Sequence, residues 1–245
     1  RKAAEAESSR ILAEALKAAE AARKAQAEQS QLAKLEAERK AAEADPFRDV
    51  DFGKYYALVI GNNDYEFLPD LNTAIADAKA IAAVLQSRYG FEVELLLNAT
   101  RDDIFKSLGK LRRKLSEDDS LLIYYAGHGN IDEAAERGYW LPVNSEEDFK
   151  SNWISNGDIS DTLKAMDAWH VMVVADSCYS GTLIRSATPV VAGSGDQAAL
   201  IKRLAVKKSR TVLTSGGLEP VVDSGGGNHS VFAKAFLDAL RENTG

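Results

Sequence analysis

From residue 55 onward, short apolar runs alternate with longer stretches of mixed polarity. Tyr55–Gly61 (YYALVIG), Phe91–Asn98 (FEVELLLN), Ser120–Gly127 (SLLIYYAG), His170–Asp176 (HVMVVAD) and Arg210–Ser215 (RTVLTS) read as strands. Several are apolar on both faces, which suits strands covered on both sides in a parallel or mixed sheet. Between and after them, helical patterns run over about 71–89, 101–116, 158–168, 196–206 and 230–242. The second opens on Thr100, a capping residue, with Asp102 and Asp103 in its first turn. Strand–helix–strand repetition predicts an α/β fold: a three-layer sandwich around a mostly parallel central sheet, with right-handed crossovers. Tyr139–Val143 (YWLPV) contains Pro142, which restricts it to an edge or a short extension.

Residues 1–45 follow another pattern. They hold sixteen alanines, no glycine and no proline, and nine basic residues balance nine acidic ones. Such a composition predicts a long helix. Its larger apolar residues are Ile11, Leu12, Leu16, Leu32 and Leu35, too few for a sustained heptad seam. The arm therefore reads as a solvated spacer with weak helical self-association at most. Pro46 ends it. Two units are expected: a helical arm at 1–45 and a globular domain at 46–245.

The whole chain has 45% hydrophobic and 27% charged residues, ordinary for a globular protein. No run of 18 apolar residues is present, so no membrane span is expected. The formal charge of −7 falls entirely on the domain, with 21 basic against 28 acidic residues. That balance argues against nucleic acid and favours a basic partner. One cysteine, Cys178, excludes an internal disulfide or a multi-thiolate metal site. The chain begins at Arg1 and reads as a fragment, so localisation stays open. It is cytoplasmic or, with a leader removed, periplasmic or secreted.

Two strand ends concentrate the chemistry. The third strand runs into Gly127-His128-Gly129, and the fourth into Asp176-Ser177-Cys178-Tyr179-Ser180-Gly181. Ligands sit at the carboxyl ends of strands in open α/β sheets, and a thiol nucleophile needs a neighbouring base. A lone cysteine is more often a small buried hydrophobe, and a histidine in a glycine turn is often only a turn residue. Their joint placement, with the histidine 50 residues upstream of the cysteine, favours a dyad.

These segments (YYALVIGNNDY, LIYYAGHG and VVADSCYSG) resemble the caspase-like cysteine peptidase superfamily, peptidase C14. The likeness is strongest to its metacaspase, paracaspase and bacterial branches and covers about residues 54–242. It implies a caspase-like sandwich, with Cys178 as nucleophile and His128 as proton-transfer partner. It also implies the backbone N–H groups of Gly129 and Cys178 as oxyanion donors. The position two before the cysteine is Asp176, as in metacaspases and paracaspases. Tyr179 stands where many metacaspases have histidine.

By the same resemblance, Asp77 in LNTAIADAKAIAAVL matches an acidic residue of the primary specificity pocket. Asp176 joins it, because i−2 along a strand shares a face with Cys178. Two convergent carboxylates suit an arginine or lysine side chain. The expected substrates are proteins or peptides cleaved after arginine or lysine. A third acid is assigned to the Glu219–Asp223 loop, with Asp223 the better match. Arg185, Lys202 and Arg203 are candidate self-cleavage sites around the loop at 186–197.

No cofactor or metal site is expected. Calcium activates many metacaspases, but Asp132, Glu133 and Glu136 lack a calcium-loop pattern, and Asn144 stands where relatives usually have aspartate. The GGGNHS segment at 225–230 lacks the lysine of a phosphate loop and reads as a mobile active-site loop, with His229 unassigned. An α/β-hydrolase elbow is excluded because Asp176 and Ser180 occupy its glycine positions and the histidine precedes the cysteine. A papain-like peptidase fails on the same order. The alternative from another class is a caspase-like scaffold without catalysis, whose mark would be loss of the dyad. Both members are intact.

Overall fold

The structure is a computed structural model describing residues 17, 20, 22–36, 51–177, 207–215 and 227–243. The chain divides into two units, 1–50 and 51–245. In the first, residues 22–36 form helix α1, exposed along its whole length, Leu32 and Leu35 included. Alanine and long-chain residues sustain it on backbone propensity, without a buried stripe. Among the described residues, no helix is long and apolar enough to cross a membrane.

The second unit is built on a five-stranded parallel sheet. Its strands are β1 (Tyr55–Gly61), β2 (Glu92–Leu97), β3 (Ser120–Ala126), β7 (His170–Asp176) and β8 (Ser209–Thr214), in the order β2-β1-β3-β7-β8. The three central strands are the runs apolar on both faces, and they are buried nearly throughout. The outer strands β2 and β8 are only partly covered. Alternate residues of each central strand enter different cores, as the two-residue repeat of a strand requires. Leu58, Ile60, Leu121, Ile123, Tyr125, Val171 and Val173 face one core; Ala57, Val59, Leu122, Tyr124 and Val174 face the other.

Helices complete both outer layers. Helices α2 (Ala74–Tyr89) and α5 (Val231–Glu242) cover the Tyr124 face. The opposite face is covered by α3 (Arg101–Lys114) and α4 (Asn156–Lys164). Helices α3 and α4 each open with a reciprocal capping box, Thr100 with Asp103 and Ser155 with Asp158. The fold class and the N-terminal helix are those the sequence predicts. The helix predicted at 196–206 and the boundary at Pro46 lie outside the described residues.

One element departs from expectation. Between β3 and β7 the chain forms a small antiparallel sheet of β4 (Gly129–Asp132), β5 (Arg137–Trp140) and β6 (Ile154–Ser155). The segment at 139–143, expected at an edge or as a short extension, is strand β5 up to Trp140, the middle strand of this small sheet, followed by a turn. Pro142 falls just beyond the ladder, where its missing N–H costs nothing.

Two glycines hold these layers at close range. A methyl group on Gly61 would stand 2.5 Å from the Ala74 carbonyl oxygen and 2.7 Å from the Ala78 Cβ, so α2 lies directly on the end of β1. A methyl on Gly127 would stand 2.7 Å and 2.8 Å from the hydroxyls of Tyr125 and Tyr65.

Candidate active site

Strands β3 and β7 are neighbours, with Ala126 paired to Asp176 at their carboxyl ends. The N–H of Gly127 donates to the Asp176 carbonyl at 3.4 Å, extending the ladder by one step. His128 follows Ala126 by two residues, and Cys178 follows Asp176 by two. Cys178 and Asp223, like the candidate cleavage sites Arg185, Lys202 and Arg203, lie outside the described residues.

His128 is partly exposed and held from several sides. Its backbone N–H donates to the Tyr65 hydroxyl at 2.8 Å, and the Tyr65 ring packs against its imidazole with centroids 4.6 Å apart. The Tyr125 hydroxyl, 2.9 Å from the carbonyls of both His128 and Leu141, fixes the turn from below. Nε2 of His128 lies 2.8 Å from the Pro69 carbonyl oxygen. A carbonyl only accepts, so Nε2 carries the proton and Nδ1 is the basic nitrogen of the neutral ring. An orienting partner for His128 therefore exists, although no side-chain carboxylate supplies it. Sequence reasoning missed Pro69 because a backbone acceptor leaves no residue-type signal.

The run GNNDY at 61–65 builds the loop that carries Tyr65 and Pro69. Asn62 accepts from the Ala99 N–H at 2.8 Å, and Asn63 accepts from the Ile75 N–H at 3.0 Å. Asn98, in the left-handed region at φ 52°, accepts from the N–H groups of Asn63 and Asp64. Asp70 accepts from the Tyr65 N–H at 2.9 Å. These amides tie the loop to the ends of β1, β2 and α2, and so bring Tyr65 and Pro69 onto the histidine.

Gly129 begins β4 opposite Trp140. The Leu141 N–H donates to the His128 carbonyl at 3.0 Å, which makes His128 and Leu141 the hydrogen-bonded pair. Hydrogen-bonded and non-hydrogen-bonded pairs alternate in an antiparallel ladder, so the Gly129 N–H points away from β5.

Beside this turn two acids converge from different elements. Asp77, in the first turn of α2, is 0% exposed, and Asp176, at the end of β7, is 7% exposed. Both meet Ser230, the N-cap of α5. Its N–H donates to Asp77 Oδ2 at 3.2 Å and its hydroxyl to Asp176 Oδ2 at 2.5 Å, while the hydroxyl accepts from the Ala233 N–H at 2.9 Å. His229 Nδ1 lies 2.5 Å from Asp77 Oδ1. Burial pushes the Asp77 carboxyl above its usual range, and the contacts with His229, Ser230 and Thr73 only partly offset this. Tyr124 sits beneath the pair, fully buried. Burial and the nearby charges of Asp176 and Asp77 raise its pKa well above the ordinary value, so the hydroxyl stays a donor.

Asp77 is thus no solvated helix residue, and the described end of the GGGNHS segment is pinned to buried carboxylates. His229 and Ser230 were missed as site residues. Only the tertiary packing of α5 against α2 and β7 brings them there. Elsewhere, Asp132 pairs with Lys150 at 2.5 Å, and Asn144 accepts from the Arg101 N–H at 3.3 Å. Among the described residues, no cluster of histidine and acidic side chains is arranged to hold a metal ion.

A parallel sheet flanked by helices, with a glycine-flanked histidine and a cysteine following adjacent strand ends, defines the caspase-like class. The caspase-domain model of peptidase C14 matches residues 54–245, and the chain belongs to that family. It is 28% identical over 153 residues to Metacaspase-1A of Neurospora crassa, covering 54% of this chain and 33% of the relative. To Metacaspase-1 of Eremothecium gossypii it is 27% identical over 215 residues, covering 68% and 47%. The chain thus spans at most about half the length of these curated relatives. A crystal structure of a Geobacter sulfurreducens protein shares the fold, with a TM-score of 0.56 at 22% identity over 77% of this chain and 82% of that one.

Proposed function

We propose that this chain is a cysteine endopeptidase that uses His128 and Cys178 as a dyad and cleaves after arginine or lysine. The observation that carries the reading is the convergence of two buried carboxylates, Asp77 and Asp176, beside the turn that presents His128. In the first half-reaction His128 Nδ1 takes the Cys178 thiol proton, and the thiolate attacks the scissile carbonyl carbon. The N–H groups of Gly129 and Cys178 receive the oxyanion. Collapse of the tetrahedral species breaks the C–N bond, and His128 returns its proton to the leaving amine. Water, deprotonated by His128, then hydrolyses the thioester and regenerates the thiol. The Pro69 carbonyl acts throughout by holding Nε2–H and stabilising the imidazolium.

Asp77 and Asp176 bind the guanidinium or ammonium of the residue before the scissile bond, with Asp223 as a third acid. The same preference directs self-cleavage at Arg185, Lys202 or Arg203. No cofactor takes part in this scheme and calcium is not required. Fluorogenic peptides differing only at arginine, lysine, aspartate or leucine before the bond, run with calcium or chelator beside Cys178→Ala, test it. Cleavage after arginine and lysine that disappears in the variant is expected. Cleavage after aspartate, or activity that survives in Cys178→Ala, overturns it.

A further inference from the structure

The acid pair assigned to substrate is already engaged by the protein itself. Three of its carboxylate oxygens accept hydrogen bonds from two consecutive residues: Asp77 Oδ1 from His229, Asp77 Oδ2 from Ser230 N–H and Asp176 Oδ2 from the Ser230 hydroxyl. The Asp77 side chain is 1% exposed and that of His229 is 26% exposed, so the ring stands between the carboxylate and solvent. Among the described residues, no lysine or arginine forms an ion pair with Asp77. The Tyr124 hydroxyl, buried close to the two acids, finds no hydrogen-bond partner among the described residues.

Resting on the reading of Asp77 and Asp176 as the basic-residue pocket, we propose that His229 is its resident occupant. Its tethered imidazole must be displaced from Asp77 by the arginine or lysine of a substrate, and it thereby sets the affinity of the site. The two contacts of Ser230 are integral to the cap of α5 and stay. The ring, one residue earlier, is the separable part. Gly227, at φ +79° with open space around its Cβ position, supplies a pivot two residues before it. Moving the ring aside exposes Oδ1 of Asp77 to an incoming guanidinium without unpacking the helix.

Competition of this kind raises the apparent dissociation constant by the inverse of the open fraction.

Two variants of the full chain test this. His229→Ala removes the occupant and should lower KM for an arginyl peptide about three- to tenfold. His229→Asn keeps a donor for Asp77 and should hold KM nearer the wild-type value. The change should be carried by KM and not by kcat. Equal or higher KM in His229→Ala overturns the proposal and leaves the arginine specificity standing. A second readout needs no turnover: agmatine is titrated into Cys178→Ala while the ring protons of His229 are followed by NMR. Displacement shifts them as agmatine saturates, whereas an unmoved ring at calorimetric saturation refutes displacement. Absence of agmatine binding to both Cys178→Ala and Cys178→Ala/His229→Ala removes the acid pocket itself, and the proposal with it.

Discussion

Gly61→Ala adds one methyl group at the point where β1 meets α2. Its Cβ would lie 2.5 Å from the Ala74 carbonyl oxygen and 2.7 Å from the Ala78 Cβ, each roughly an ångström inside ordinary contact. Neither obstacle can rotate away, since one is backbone and the other is a Cβ. Nor can the strand withdraw, because β1 is paired to β2 and β3 on its two sides and the Asn98 N–H donates to the Gly61 carbonyl at 3.0 Å. Helix α2 must back away, at the upper end of the overpacking range, about 3 kcal/mol. An opposing effect exists: Gly61 does not have positive φ, and replacing a glycine whose backbone suits alanine stabilises by about 0.4–1 kcal/mol through the unfolded chain. The steric cost is several times larger, so the net sign is destabilising. Urea unfolding by circular dichroism should show a lower midpoint with an unchanged slope. An unchanged or raised midpoint would refute the close approach of α2 to β1. Ala78 follows Asp77, so the same retreat should separate Asp77 from Asp176 and raise KM for arginyl peptides.

Other outcomes follow from particular contacts. Asp119 is buried, which raises its pKa, but hydrogen bonds from the Ser116 N–H and hydroxyl and from the Lys54 N–H outweigh this and hold it below the usual value. Asp119→Ala should cost about 2–3 kcal/mol at pH 7. Because the folded pKa is depressed, that stability is present above the unfolded value, about 3.9, and is lost as pH falls through the folded one. The gap between wild type and variant in urea unfolding should therefore close on acidification, and a gap independent of pH would contradict the assignment. Tyr65→Phe removes the acceptor for the His128 N–H while keeping the ring contact; kcat/KM for an arginyl peptide should fall about tenfold, equivalent to about 1.4 kcal/mol of lost positioning. Full activity in that variant would show that the turn holds His128 without Tyr65.

The central sheet was legible because the interiors of β1, β3 and β7 are apolar on both faces, a pattern that burial on both sides favours. Thr100 signalled the start of α3 through local capping chemistry, and the structure completes the box with Asp103. The small sheet was illegible: β4 is the partly polar GNID, and β6 is two residues long, too short for any period to register. His128 stood out in its glycine turn, but its partners did not. Pro69 contributes a carbonyl, and Tyr65 looks from sequence like an ordinary loop aromatic. Nothing near His229 in sequence shows that α5 begins against Asp77, 152 residues away. That relation arises from packing alone.

Covalent labelling by two acyloxymethyl ketone peptides, identical except for arginine or aspartate next to the reactive group, tests most directly whether Cys178 is a nucleophile served by an acidic pocket. With one cysteine in the chain, intact-mass measurement reads the site without ambiguity. Rapid stoichiometric labelling by the arginyl reagent, little by the aspartyl one, and loss of the arginyl reaction in His128→Ala are expected. Equal, slow labelling by both reagents, unaffected by His128→Ala, would mark Cys178 as an ordinary thiol and overturn both the dyad and the pocket.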